Sequence, residues 1–344
     1  PTYNVTMSHA IAGAGPLTIN TDATSTITLT AANTISGGVT VSSGSTVLTS
    51  GSGTIGTGLV TNNGTLNFHN SLTAAGGISG SGNTTVGDGT TSYALTTGHV
   101  IQNALSIVDG ATGASKVTIT AQADPTNVSS YAGTSRIGTL TMGLASQLDL
   151  TNNKLILPGA SVGSATAGVY NGVTGQIQSG RNNGTSNGSW NGPGIITSQS
   201  SAVSGLTTLA IASNADLNRT TFGGQSVSTS DVLVMYTYAG DANLDGRLNG
   251  DDYFQIDSHI TTPGANGYAN GDFNYDGRID GDDYFVIDSN INQQSLGQFA
   301  TSGGLFTAAA SSGLSGVSAV PEPASLSLLA LGAMSVLGRR RRKI

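Results

Sequence analysis

The 344-residue chain contains no cysteine and only one glutamate, Glu322. Disulfide staples and thiolate metal sites are therefore excluded. Only 9% of residues are charged and 5% are aromatic, against about 25% charged in an average soluble domain. The strong helix formers Glu, Lys and Gln are too scarce for a helical bundle. Net charge is -7, and the only basic run is Arg339–Lys343 at the C-terminus. Nucleic-acid binding, which needs a basic face, is excluded on that ground. What is abundant is Gly, at 50 residues, together with Thr and Ser.

Polar and apolar residues alternate with period two in Thr26–Thr30, Val39–Val41, Lys116–Thr120 and Leu148–Leu150. Turn signals lie between them: Ser36-Gly-Gly38, Asn62-Asn-Gly64, Gly76-Gly77, Gly80-Ser-Gly82 and Asn152-Asn153. Short strands, Gly/Asn turns and few large rings favour a parallel β-helix over a sandwich for residues 1–150. The fold class expected is mainly β: a β-solenoid, then a small α-helical calcium-binding module and a C-terminal hydrophobic helix. Residues 151–238 read as an irregular β region. Within it, Gly175–Gly194 reads as a loop, Ser204–Leu217 as a short helix, and Asp231–Tyr238 as a strand.

Charge is concentrated in residues 239–295, which hold eleven of the aspartates and two arginines. Alone, such a block would repel itself. It is an internal repeat. Residues 240–260 (GDANLDGRLNGDDYFQIDSHI) and 271–291 (GDFNYDGRIDGDDYFVIDSNI) match at 15 of 21 positions. Each copy carries D-x-N-x-D-G, a branched apolar residue, and Asp at loop position 12, the pattern of a calcium loop. Calcium takes six to eight hard oxygen ligands, and alternate loop positions supply them. The ligand set expected in the first copy is Asp241, Asn243, Asp245, the Arg247 carbonyl, Asn249 and Asp252. In the second it is Asp272, Asn274, Asp276, the Arg278 carbonyl, Asp280 and Asp283. Position 9 (Asn249, Asp280) binds directly or through water. Two calcium ions are thus expected, with Leu248 and Ile279 anchoring the loops. The alternative is a solvated acidic surface.

Tyr253, Ile256 and Ile260, and again Tyr284, Ile287 and Ile291, place a helix after each loop. The unit is loop–helix, and over residues 239–293 it resembles a type I dockerin module. The resemblance implies two calcium ions holding antiparallel helices that dock onto a cohesin or a neighbouring domain. Cohesin-binding members carry small hydroxyl residues at loop positions 10 and 11. Here Gly250-Asp251 and Gly281-Asp282 stand there, which argues against cohesin. An exopolysaccharide or the chain's own β region becomes the expected partner. Leu59–Gly89 also resembles the autotransporter-associated β-strand repeat.

Residues 296–319 are Ser/Gly/Ala-rich and read as a flexible linker. In residues 320–344, Pro321-Glu322-Pro323 precedes a 15-residue apolar stretch (324–338) and then Arg339, Arg340, Arg341, Arg342 and Lys343. As a helix the stretch spans roughly 22 Å at about 1.5 Å per residue, marginal for a bilayer core of about 30 Å. The arginines would hold the C-terminal end in the cytoplasm. This order resembles a PEP-CTERM sorting signal. It implies transient membrane insertion, recognition and cleavage by an exosortase-type protease, and delivery to the cell surface or matrix. Residues 1–20 show no export leader, so one is expected upstream.

No G-x-S-x-G elbow or H-x-x-x-H pair occurs, and the four histidines (9, 69, 99, 259) are scattered. Asp109, Asp124 and Arg136 are the acid and base groups that one solenoid face could unite. The reading is a non-enzymatic, secreted surface or matrix structural protein. The alternatives are an extracellular carbohydrate-active enzyme, and an adhesin that stacks sugar on the lone Trp190.

Overall fold

The computed structural model describes residues 3–182, 187–295, 297 and 299. It is mainly β, with a β-solenoid of about 7 turns. One ladder stacks Val5–Met7, Thr26–Leu29, Thr46–Ser50, Thr65–His69, Asn83–Val86 and the end of Val100–Ile107, all parallel. A second stacks Leu17–Ile19, Val39–Val41, Val60–Asn62, Ile78–Ser79 and the start of Val100–Ile107. A third stacks Leu72–Ala74, Ala94–Thr97, Lys116–Ile119, Gln147–Asp149 and Gly194–Ile196.

Parallel register aligns like with like. Leu17, Val39, Val60, Ile78 and Val100 form one column, and Leu72, Leu95, Val117, Leu148 and Ile195 another. Alternate residues face inward, so Val47, Leu66, Phe68, Val86 and Leu105 are buried while Thr46, Thr65, Thr85 and Ser106 are half-buried. Buried polar side chains between the coils are partnered at Asn62 and Gln102. Asn62 Nδ2 donates to Gln102 Oε1 at 2.8 Å and to the Asn83 carbonyl at 2.9 Å. Glycine is obligatory where coils touch: a Cβ on Gly53 would lie 1.9 Å from the Leu29 carbonyl oxygen.

Parallel pairing continues beyond residue 150. Lys154–Pro158 pairs in parallel with Ser135–Met142 on one edge. On its other edge it pairs antiparallel with Asp231–Tyr238, which pairs antiparallel with Thr207–Ser213. All eight residues of Asp231–Tyr238 are buried, so the expected strand is a central one.

Two local expectations are corrected. Thr207–Ser213 is a strand, followed by a one-turn helix at Asn214–Leu217. Its run TTLAIAS is paired along its length and buried except at Ser213, which overrides the weak helical pattern. The glycine-rich stretch begins inside a helix, Gly172–Arg181. Its glycines permit close packing: a Cβ on Gly180 would lie 2.2 Å from the Ile195 carbonyl oxygen. The two expected module helices are present at Gly250–His259 and Gly281–Asn290.

The linker beyond residue 299 and the segment 320–344 lie outside the described residues, including the hydrophobic helix, Pro321, Glu322, Pro323 and Arg339–Arg342. Among the described residues no helix is long and apolar enough to cross a membrane.

Candidate metal centre

Each acidic loop is a chain of side-chain-to-backbone turns. Asp241 accepts from the amides of Asp245 (Oδ1, 3.0 Å) and Gly246 (Oδ2, 2.9 Å). Asn243 Oδ1 accepts from Asp245 N at 2.8 Å, and Asp245 Oδ1 from Arg247 N at 2.9 Å. Asp252 closes the ring, accepting from Ala242 N at 2.9 Å and from Asn249 N at 2.9 Å. The second loop repeats every one of these bonds with Asp272, Asn274, Asp276 and Asp283. Gly246 and Gly277 turn at φ 87° and 85°, a region glycine enters without strain.

Position 9 is a helix cap. Asn249 and Asp280 cap the module helices, accepting from the amides of Asp251 (2.7 Å) and Asp282 (3.0 Å). Each helix therefore begins inside its loop, with the position-12 carboxylate returning a bond in a capping box. Arg247 and Arg278 point to solvent. Leu248 and Ile279 are buried as anchors.

The electrostatics are unusual for carboxylates. Asp241, Asp252, Asp272 and Asp283 are each 0% exposed. Burial drives Asp241 well above the ordinary carboxylate range, assisted by Asp252 and Asp245. Burial also lifts Asp252 and Asp283 to about 7 and Asp272 to about 6. Among the described residues no three His, Cys, Asp or Glu side chains gather as a ready-made metal cluster. Each loop offers a mixed set of carboxylate, amide and main-chain oxygens.

The two loop–helix units face each other with two-fold-like pairing. Tyr253 and Tyr284 stack with ring centroids 6.5 Å apart. Tyr253 donates to Asp288, and Tyr284 reciprocally to Asp257.

The module is seated on its own β region through residues that sequence reasoning did not single out. Arg219 Nη2 donates to the carbonyls of Asn243 (2.8 Å) and Leu244 (2.9 Å). Arg181 Nη1 donates to the Asn274 carbonyl at 2.7 Å. Thr237 and Tyr170 each donate a hydroxyl hydrogen to the first carboxylate of a loop, Asp241 and Asp272 respectively. Leu244 and Tyr275, at loop position 4, are fully buried, and the Tyr275 hydroxyl bonds to the Leu209 carbonyl. Gln178 Nε2 reaches the Tyr275 carbonyl at 2.8 Å, and Asn290 Nδ2 the Gly205 carbonyl at 2.9 Å. No local pattern announces these partners; they lie up to 102 positions away in sequence.

Other candidates do not converge. Asp109 accepts from Ser146 and Ala145, Asp124 from its neighbour Thr126, and Arg136 pairs with Asp231 at 3.1 Å. Trp190 is 3% exposed and belongs to the core, so it offers no ring to a sugar.

Residues 319–343 match the PEP-CTERM protein-sorting motif family. No curated protein and no solved structure matches the chain. The motif indicates an exported protein, sorted to the cell surface and processed by an exosortase.

Proposed function

We propose that this is a non-enzymatic structural protein of the cell surface or extracellular matrix whose C-terminal module binds two calcium ions. The first site would use oxygens of Asp241, Asn243, Asp245, Asn249, Asp252 and the Arg247 carbonyl. The second would use Asp272, Asn274, Asp276, Asp280, Asp283 and the Arg278 carbonyl. The ions would supply charge: two hard cations inside a block that otherwise buries four carboxylates.

One observation carries this reading. Buried carboxylates are costly unless paired or bound to a metal. Here four of them recur at positions 1 and 12 of two repeated loops, with their backbone bonds duplicated. The donor set is all oxygen, with no thiol or imidazole, and so suits calcium over zinc. The sorting motif supports the setting, outside the cell.

The helices turn their paired tyrosines toward each other and the loops toward the β region, so the module acts as a cap in cis. Isothermal titration of chelator-stripped protein with calcium tests the reading. Two sites are expected, with D252N losing the first and D283N the second. Absence of any calcium heat from folded wild-type protein overturns it.

A further inference from the structure

The β region makes the same two contacts to each loop. To the first carboxylate it gives a hydroxyl, from Thr237 or Tyr170. To the position-3 carbonyl it gives a guanidinium, from Arg219 or Arg181. The loops are 31 residues apart, but the arginines are not. Arg181 ends the helix Gly172–Arg181, and Arg219 follows the one-turn helix Asn214–Leu217. The duplication that made the loops therefore did not make their clamps. The same contact was built twice from unrelated segments.

Both arginines are withdrawn from water, a cost set against attraction to the loop acids. Arg181 is 5% exposed and sits near Asp272 and Asp276. Arg219 is half-buried, near Asp241 and Asp245. Arg219 grips the main-chain carbonyls of positions 3 and 4, and Arg181 that of position 3 while Gln178 holds position 4; these carbonyls are outside the ligand set of the loop pattern. The grip fixes the loop without using its ligand oxygens. It also places a positive charge beside the loop carboxylates.

We propose that Arg219 and Arg181 are resident counter-charges. Each holds one acidic loop seated on the β region, in its cation-binding shape, before an ion arrives. Calcium then tightens a module already docked in cis. The calcium part of this inference rests on the function proposed above. The arginine part does not.

Hydrogen exchange on the full chain, in chelator and in saturating calcium, tests it. In chelator, R219Q is expected to speed exchange at least tenfold in residues 241–252 and leave 272–283 unchanged. R181Q is expected to do the converse. Calcium is expected to return both loops to wild-type protection. R219K keeps the charge but loses the fork over two carbonyls, so partial protection is expected. Unchanged chelator-state protection in the R181Q/R219Q double variant overturns the proposal. So does equal loss across the solenoid strands 39–107, which would mark general destabilisation. Wild-type protein whose loops ignore calcium would sink the calcium reading alone, and the chelator comparison would still judge the arginines.

Discussion

Lys154 shows how much one residue can be asked to tolerate. It is 2% exposed in a strand paired on both edges, with its ammonium 5.7 Å from the Tyr131 ring centroid. Burial depresses its pKa from 10.5 to about 8. The sign follows from linkage. Between pH 8 and 10.5 the unfolded chain binds the proton more tightly than the folded one, so stability rises with pH in that window. Below pH 8 the full cost of burying the charge applies, roughly 3 kcal/mol as an upper bound. Lys154→Met is therefore expected to raise unfolding stability at pH 7, with the gain shrinking as pH approaches 10. Urea melts of both proteins at pH 7, 8.5 and 9.5 check this; a gain that is constant with pH would refute the assignment. The carboxylates at loop positions 1 and 12 face the same penalty with the opposite charge, four times over. That repetition is the cost that the proposed cations would relieve.

At the scale of elements, the solenoid relies on columns and the module on turns. Leu66 is fully buried, between Val47 on one coil and Thr84 on the next. Leu66→Ala is expected to cost about 2–5 kcal/mol, read as a lower denaturant midpoint with little change in calcium binding. Gly246→Ala should act oppositely. Its φ is 87° and its Cβ would lie 2.2 Å from the Phe299 carbonyl oxygen. Loss of first-site calcium binding is expected, with the coil strands unaffected, checked by titration and hydrogen exchange. These two elements also mark what sequence could reveal. Period-two alternation at 39–41 or 116–120 is a local code, and so is D-x-N-x-D-G, since alternate loop positions turn inward whatever surrounds them. The helix Gly172–Arg181 is illegible in sequence because its glycines serve close packing, Gly180 against Ile195 and Gly175 against Tyr170, not helix propensity. Arg181, Arg219, Tyr170 and Thr237 were equally hidden. Their meaning lies in contacts that form only once the chain has folded back on its loops.

For the whole molecule, the question is where calcium and the sorting signal act in time. The module follows directly from Tyr238, the last residue of a buried central strand, so the folded end of the β region and the loops are one structure. Ligand linkage gives about 2.7 kcal/mol per site at a hundredfold excess of ion over Kd. Chelator is therefore expected to lower the thermal midpoint, with residues 241–290 losing protection before the coil strands. An unchanged midpoint would count against the calcium reading. The sorting motif lies at the opposite extreme, in a sequence whose apolar stretch is short for a bilayer. Replacing Pro321, Glu322 and Pro323 by Ala is expected to leave the thermal midpoint unchanged. Cell-associated chain still carrying Arg339–Lys343 should accumulate, and secreted product should fall. Intact-mass measurement of both fractions decides it. A secreted wild-type chain that retains Arg339–Lys343 would show that export does not depend on removing the tail. In the expected case the tail leaves on export. The +4 carried by residues 296–344 is then lost with it, apart from Glu322 if cleavage falls after that residue, while the -9 of residues 239–295 remains to be balanced. Arg219 and Arg181, with the two calcium ions of the proposed function, would then be the positive charge set against the loops.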